Sequence, residues 1–244
     1  MGASISATAD QLRTIALEST DARGYFAAMY ARVTGQLAAA IDSGRFDHGD
    51  RMDEFASAFA DYYVLALRGE VKPPRCWEAA WEVSGNKKLL IAQHLLLGIN
   101  AHVNHDLALA VVEVAGTREE IGSIRPDFNA VNDVLAEAYF DLVDDLGVVS
   151  RWAAAASGLG GADAFNFSLR VAREQAWRAA VDMYTLDVAS LRAYEAELDR
   201  VVSGVAYVIT KPPRIARPVV WLARRFEERD PVIVTRRLLG ESED

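Results

Sequence analysis

Apolar residues recur every three or four positions along most of the chain, which is the spacing that places them on one face of an α-helix. One clear stripe lies in residues 21–42 and consists of Phe26, Met29, Tyr30, Val33, Leu37 and Ile41. The alternation of apolar and polar residues that is typical of half-buried β-strands is nearly absent. We therefore predict an all-α fold, organised as a single-domain helical bundle of roughly seven or eight helices.

Short breaks separate the predicted helices, which are expected over residues 9–18, 21–42, 51–68, 75–84, 87–114, 126–146, 165–184 and 186–208. Residues 116–126 are expected to form a loop. The sequence Lys-Pro-Pro occurs at residues 72–74 and again at 211–213, and it interrupts a helix because proline has no amide hydrogen to donate. The second break divides the chain into a bundle domain, residues 1–210, and a C-terminal tail, residues 211–244, that is expected to pack on the bundle or on a partner.

The tail is rich in proline and arginine, although the chain as a whole is acidic. It has eight lysine and arginine residues between Lys211 and Arg237, and an apolar cluster around Trp221. The whole chain has 35 acidic and 26 basic residues and a net charge of -9, which opposes a phosphate backbone and argues against nucleic acid as a partner. The apolar cluster would permit a homodimer, and it would equally permit packing on the chain's own bundle.

The cellular location is indicated by features that the sequence lacks. The single cysteine, Cys76, has no partner for an internal disulfide, and we interpret it as a packed thiol. The first residues do not show a basic segment followed by an apolar stretch, and no apolar run reaches about 18 residues without interruption. We therefore expect a cytoplasmic protein without a membrane span.

The predicted helix over residues 87–114 contains polar residues inside an otherwise apolar run. Because each residue advances about 100° around a helix, His94, Gly98, His102 and Asp106 share one face, with His105 at its edge. Burying a polar group without a partner costs about 1–3 kcal/mol of folding free energy, so we expect these side chains to hydrogen-bond within the bundle or to bind a ligand. His102 and Asp106 lie four residues apart, which lets the carboxylate orient the imidazole or lets both bind one metal ion.

A structural interpretation of each of these residues competes with the functional one. A single histidine in a helix core is usually a satisfied structural residue, and the pair with Asp106 is what favours a site. Asn100 and Asn104, on the opposite flank of the helix, suit bridges to neighbouring helices as well as contacts to a substrate.

Three segments resemble a family of mainly actinobacterial helical proteins, DUF5995. QHLLLGINAHVNHDLALA, residues 93–110, is similar to its signature; FNFSLRVAREQAW, residues 165–177, fits its second pattern; and RMDEFASAFADYY, residues 51–63, matches more loosely. The resemblance covers roughly residues 45–185, and the family supplies a helical fold without a settled reaction. It implies that the site includes residues of both patterns, namely His94, Gly98, Asn100, His102, Asn104, Asp106, Asn166, Arg170 and Trp177.

The first hypothesis for function is an enzyme that acts on a small, largely apolar metabolite by acid–base chemistry, without a cofactor. His102, oriented by Asp106, would be the base or acid, and His94 its counterpart. Asn100, Asn104 or Asn166 would donate to a developing oxyanion, and Arg170 would hold a carboxylate or enolate. The pocket would be shaped by aromatic residues: Phe55, Tyr63, Trp77 and Trp177. These residues would suit a cyclisation, an isomerisation or an elimination.

Two other classes of function stay open. The string LGxxxHxxxD weakly resembles the metal-binding helix of zinc-dependent phospholipases C, and a hydrolase of that kind would use His94, His102 and Asp106 as ligands of a divalent metal. Those enzymes use several further histidine and aspartate ligands, whereas here His48 is the histidine that remains elsewhere in the chain, and Asp53 could contribute. Alternatively, the protein is a non-catalytic ligand-binding or scaffold module, in which the polar helix fixes the register of the bundle.

Overall fold

The fold was analysed in a computed structural model that describes residues 4–150, 162–211, 213–215 and 217–241. Over these residues the chain forms eleven α-helices and no strand, which confirms the all-α prediction. The helices are α1 (Ile5–Glu18), α2 (Arg23–Asp42), α3 (Gly49–Leu67), α4 (Arg75–Glu82), α5 (Ile91–Ala101), α6 (Leu107–Ala115), α7 (Arg118–Val149), α8 (Ala162–Met183), α9 (Val188–Thr210), α10 (Arg217–Arg224) and α11 (Pro231–Leu238). Between α5 and α6 lies a π-helical turn, His102–Asp106, called the π turn below.

The helix count exceeds the predicted seven or eight for two reasons. The single helix predicted over residues 87–114 is divided by the π turn, and the tail contains two short helices of its own. The predicted loop over residues 116–126 is also wrong, because α7 begins at Arg118 and contains Pro126 in its interior. Buried Ile121 and Ile124 anchor this first part of α7 in the core, so tertiary packing outweighs the helix-breaking tendency of proline.

The core consists of two main apolar clusters that meet at the segment formed by α5, the π turn and α6. The first cluster surrounds α2, α4 and α5 and contains Phe26 and Trp77. The second surrounds α6, α7 and α8 and contains Phe128 and Trp177. Most of the central segment is therefore buried, although Leu96 stays exposed, and its buried polar side chains need partners inside the bundle.

By length and composition, the central segment would also be able to cross a membrane. It extends from Ile91 to Ala115, and 67% of its most apolar stretch is buried inside the protein. Burial of this extent is what the core helix of a bundle shows, and a single helix that meets the length criterion is weak support for a membrane span.

The tail packs on the bundle through both apolar and polar side chains. In α11, Val234 and Leu238 are completely buried against the first core cluster. Between α10 and α11, the buried carboxylate of Glu227 accepts hydrogen bonds from the Ser150 hydroxyl, at 2.8 Å, and from the Ile91 amide, at 3.1 Å. The second bond places a carboxylate at the N-terminus of α5, where the helix dipole favours negative charge. Helix α10 itself exposes much of its apolar surface, including Trp221, which is 62% exposed.

At Gly98 the side chain of Phe26, from α2, lies directly against α5, and substitution of this glycine tests the packing. A Cβ atom added at Gly98 would lie 2.4 Å from the ring of Phe26, well inside van der Waals contact. We expect Gly98→Ala to lower the free energy of unfolding by about 1–3 kcal/mol, as overpacked cores do. The measurement is urea denaturation followed by circular dichroism.

Gly122 provides the matched control, because it is a helical glycine with open space around the added Cβ. Gly122→Ala should raise the free energy of unfolding by about 0.5–1 kcal/mol, since alanine loses less backbone entropy in a helix. Equal effects of the two substitutions would contradict the close packing of α5 on Phe26.

Candidate functional site

The π turn gives the central segment a geometry that a regular α-helix does not have. The Leu107 amide donates to the carbonyl of His102, five residues earlier, so one extra residue is inserted into the turn. As a result, two histidines, His102 and His105, both reach the carboxylate of Asp106. Single π-helical turns inside α-helices occur frequently at functional sites, so the π turn indicates a candidate site in the central segment.

Asp106 is the polar centre of the site and is 1% exposed. Its Oδ2 accepts from His102 Nδ1 at 3.0 Å and from Trp77 Nε1 at 2.8 Å, and its Oδ1 accepts from His105 Nδ1 at 2.8 Å. Burial opposes ionisation of this carboxyl group, but the hydrogen bonds from the two histidines outweigh it and lower the pKa of Asp106. The group is therefore a carboxylate with three N–H donors around it.

An ionised carboxylate accepts hydrogen bonds and donates none, which decides the tautomer of both imidazoles. Each histidine has its proton on Nδ1, where Asp106 accepts it, and a lone pair on Nε2. Burial lowers the pKa of His102 by more than the nearby carboxylate raises it, so this imidazole is neutral at neutral pH. His102 Nε2 is buried, and within the described part of the chain it has no hydrogen-bond partner.

The ring of His102 forms part of the wall of an apolar cavity between α2, α3, the central segment, α7 and α8. The cavity has a volume of about 110 Å³, and its wall includes Phe26, Tyr30, Phe55, Phe59, Leu135 and Leu169. Phe59 stacks on the imidazole with 3.6 Å between the ring centroids and 8° between the planes. The ring is thus fixed both by Asp106 and by Phe59, and its Nε2 is the basic atom of a site that is otherwise almost wholly apolar.

Arg173 contributes a positive charge to the same cavity. It is 4% exposed, donates to the Asn132 side chain at 3.0 Å and to the Phe128 carbonyl at 2.6 Å, and lies over the Phe128 ring. Burial, followed by repulsion from Arg125, lowers the pKa of Arg173 to about 9, so it stays cationic at neutral pH. Within the described residues no carboxylate pairs with this guanidinium, which is unusual for a buried charge.

His94, predicted as the counterpart of His102, lies elsewhere in the bundle. It is eight residues earlier on the same helix, a rise of about 12 Å, and it packs edge-on against Tyr25. It lines a separate small cleft beside Trp81 and Ser84. The structure therefore brings His102 and Asp106 together without His94, and these three side chains do not form the shared metal site that the sequence suggested.

The predicted asparagines on the opposite flank connect helices. Asn100 donates to the backbone carbonyl of Val202 in α9 at 3.0 Å, and Asn104 donates to the Asn100 side chain, also at 3.0 Å. Gln93 donates in the same way to the carbonyl of Ile209. These amides lie outside the wall of the His102 cavity and fix α9 against the central segment, which is the structural alternative for Asn100 and Asn104.

On α8 the predicted residues face away from the cavity. Asn166 and Arg170 line a depression at the surface of α7 and α8, whereas Arg173 points inward. The signal that identifies Arg173 was available in the sequence, because Phe165, Leu169 and Arg173 are spaced by four residues and share one helical face.

The predicted aromatic residues have different positions relative to the cavity. Phe55 belongs to its wall, as expected. Tyr63 and Trp77 pack behind His102, and Trp177 packs against Phe128 with 5.0 Å between ring centroids. His105, expected at the edge of the helix face, is 6% exposed, because the π turn rotates it toward Asp106.

The bond from Trp77 to Asp106 is expected to stabilise the fold measurably. Trp77→Phe removes a donor to a buried carboxylate, so the free energy of unfolding should fall by about 1.5–3 kcal/mol. Trp81→Phe is the matched control, since this neighbouring indole stacks on Trp77 and does not donate to Asp106 in the described structure. Chemical denaturation of both variants provides the comparison, and equal losses would contradict a special role of the Trp77 bond.

The buried position of His94 predicts a pH dependence of stability. Burial lowers the pKa of His94 to about 4, below its ordinary value of 6.5, so the unfolded chain binds a proton in this interval and the folded chain does not. The contribution of His94 to stability is therefore complete above pH 6.5 and is lost as the pH falls toward 4. Urea denaturation between these pH values should show a smaller loss of stability for His94→Gln than for the unsubstituted protein, and parallel curves would contradict the shift.

Comparison with known proteins places the chain in a family. No curated protein and no solved structure matches the sequence. One family model, described as a family of unknown function (DUF5995), matches residues 5–212, which include the central segment, Asp106 and Arg173. The match ends within the tail, so α10 and α11 lie beyond it. The chain belongs to the DUF5995 family.

Proposed function

We propose that this protein is an enzyme that acts on a small, largely apolar metabolite by acid–base chemistry, with His102 as the base. One observation carries the proposal: His102 lines an apolar cavity, and its buried Nε2 has no hydrogen-bond partner among the residues that the structure describes. An unsatisfied buried acceptor costs about 1–3 kcal/mol. A substrate that presents a proton to Nε2 would recover this free energy, so the site favours a ligand with a polar or acidic hydrogen at that place.

The protonation state of His102 supports the role of a base. Its lowered pKa keeps the imidazole neutral and able to accept a proton at neutral pH. Asp106 fixes the tautomer through Nδ1 and would stabilise the imidazolium that forms when Nε2 takes a proton. Since Asp106 is itself held by Trp77 and His105, the base keeps its position before the substrate arrives.

The cavity wall indicates the kind of substrate. Aromatic and aliphatic side chains exclude water and leave few polar contacts, which favours a compact apolar molecule. The volume of about 110 Å³ is of the order of the cavity, about 150 Å³, that accepts benzene in an engineered protein core. A substrate of this size would have most of its contacts with apolar side chains of the wall.

In this proposal Arg173, instead of Arg170, holds the carboxylate or enolate of the substrate. Arg173 is buried, lines the cavity and has no carboxylate partner among the described residues, so a negatively charged group of the substrate would pair with its guanidinium. If His102 removes a proton from the carbon next to a carbonyl group, the electron pair moves to the carbonyl oxygen, and Arg173 would stabilise the enolate. Return of the proton at another position gives isomerisation, loss of a β-substituent gives elimination, and attack on an internal electrophile gives cyclisation.

The two other hypotheses have less support at this place. His94 is too far from His102 and Asp106 for the predicted ligand set of a metal hydrolase. The scaffold interpretation suits Gln93 and Asn100, which connect helices, but it does not account for an unpartnered His102 Nε2 beside a cavity. A module that binds a ligand without converting it would use the same cavity, so conversion must be tested separately from binding.

Binding is tested with hexanoate, benzoate and the uncharged hexanol on the unsubstituted protein. Isotope-labelled histidine allows the Nε2 signal of His102 to be followed by nuclear magnetic resonance. We expect the two acids to shift this signal, and the alcohol to bind at least about tenfold more weakly because it offers no charge to Arg173. Arg173→Met should remove the preference for acids. Failure of all three probes to shift the His102 signal would count against a ligand site in this cavity.

Conversion is tested by incubating the protein with a metabolite extract and comparing masses before and after. An isomerase or cyclase changes retention at constant mass, and an elimination shows the loss of a small fragment. His102→Gln should slow the conversion by at least about 100-fold, the usual lower size of a general-base effect. His94→Gln is the matched control and should leave the rate unchanged. Binding without any conversion would support the non-catalytic module instead, and full activity of His102→Gln would exclude His102 as the base.

A further inference from the structure

On the side of the π turn opposite the His102 cavity, three potential metal ligands lie close together. Cys76 from α4, His105 from the π turn and Asp199 from α9 each offer a ligand atom, and these atoms lie within 4.8 Å of one another. No other group of three histidine, cysteine or acidic side chains meets this distance within the part of the chain that the structure describes. We propose that Cys76, His105 and Asp199 bind a divalent metal ion of the zinc type.

His105 has the orientation that metal-binding histidines usually have. Its Nδ1 donates to Asp106 at 2.8 Å, so the lone pair available to a metal is on Nε2. A carboxylate behind the imidazole fixes the tautomer and raises the basicity of the ligand nitrogen, and this arrangement recurs around zinc. Asp106 would therefore support the metal site through His105 without being a ligand itself.

Asp199 and Cys76 are held in place by the start of α4. Asp199 accepts from the amides of Arg75, at 3.0 Å, and Cys76, at 2.9 Å, one on each carboxylate oxygen. Each oxygen retains a second lone pair, so the carboxylate can still bind a metal ion. Cys76 lies in the first turn of α4 and is completely buried.

Metal binding would exchange a proton for the ion. A metal ion binds the thiolate form of Cys76, so the thiol proton must leave. On binding, the S–H bond breaks, the proton goes to solvent and the sulfur forms the bond to the metal. The thiolate, the carboxylate and the neutral imidazole together carry two negative charges, which balance the two positive charges of the ion. The mixture of a soft sulfur with nitrogen and oxygen favours zinc over magnesium or calcium.

An acidic pocket gives access to this cluster. The pocket has a volume of about 670 Å³, and its wall includes His105 and Asp199. Five further carboxylates belong to the same wall: Asp61, Glu78, Asp106, Glu113 and Glu195. The basic side chains in the wall are Lys72 and Arg75. This excess of negative charge attracts cations, and the opening would leave a fourth coordination position to water or to a ligand. Three protein ligands with one open position are characteristic of catalytic zinc.

The competing explanation is a buried thiol that donates to Asp199 and binds nothing. The two are distinguished by loading the full chain with zinc, removing free metal and measuring the metal content. We expect one zinc per chain, and loss of at least about 90% of it in Cys76→Ala and His105→Gln, because each variant lacks one of three ligands. His94→Gln, an identical change at a histidine in a separate cleft, should retain the metal. A chain that holds no zinc, or equal zinc in all variants, would overturn the proposal.

Cobalt provides a second measurement that requires no variant to fold. Co²⁺ bound in place of zinc should give a thiolate-to-metal charge-transfer absorption in the unsubstituted protein, because Cys76 is the only thiol in the chain. Bound cobalt without this absorption would show that Cys76 is not a ligand and would overturn the proposed set. The result is independent of the function proposed for the His102 cavity, which needs no metal at Cys76.

Discussion

The rest of the site depends on the hydrogen bonds that the buried carboxylate of Asp106 accepts. Inside a bundle, an ionised carboxylate at 1% exposure is tolerated only if its desolvation is offset, and here three N–H donors offset it. Those donors come from α4 and from two positions of the π turn. The same three bonds therefore tie α4 to the central segment, fix both imidazole tautomers and direct two Nε2 lone pairs away from the carboxylate.

The two histidines of the π turn share the Asp106 carboxylate but lie in different environments. His102 lines an apolar cavity with a buried arginine, whereas His105 lines an acidic pocket next to Cys76 and Asp199. The first environment suits a neutral base and an apolar acid, and the second suits a cation. A regular helix would keep a single polar face, so the extra residue of the π turn is what separates the two chemistries.

Some polar residues of the central segment hold neighbouring helices in place. Gln93 and Asn100 use their amides to hold the backbone of α9, and Gly98 allows α2 to approach closely. These contacts place the histidines by fixing the helices around them. Polar residues on this flank of the central segment thus act as positioning elements.

The sequence by itself determined the helical class, the central segment and the pairing of His102 with Asp106, because these depend on local spacing along one helix. It did not determine the π turn, since the insertion of one residue into a helix arises from packing on both sides and leaves no periodic signal. Tertiary structure therefore decided that His94 is separate, that Arg173 and not Arg170 faces the cavity, and that Cys76 and Asp199 meet His105. Those relations join helices that are distant in sequence, and only the folded bundle brings them within reach of one another.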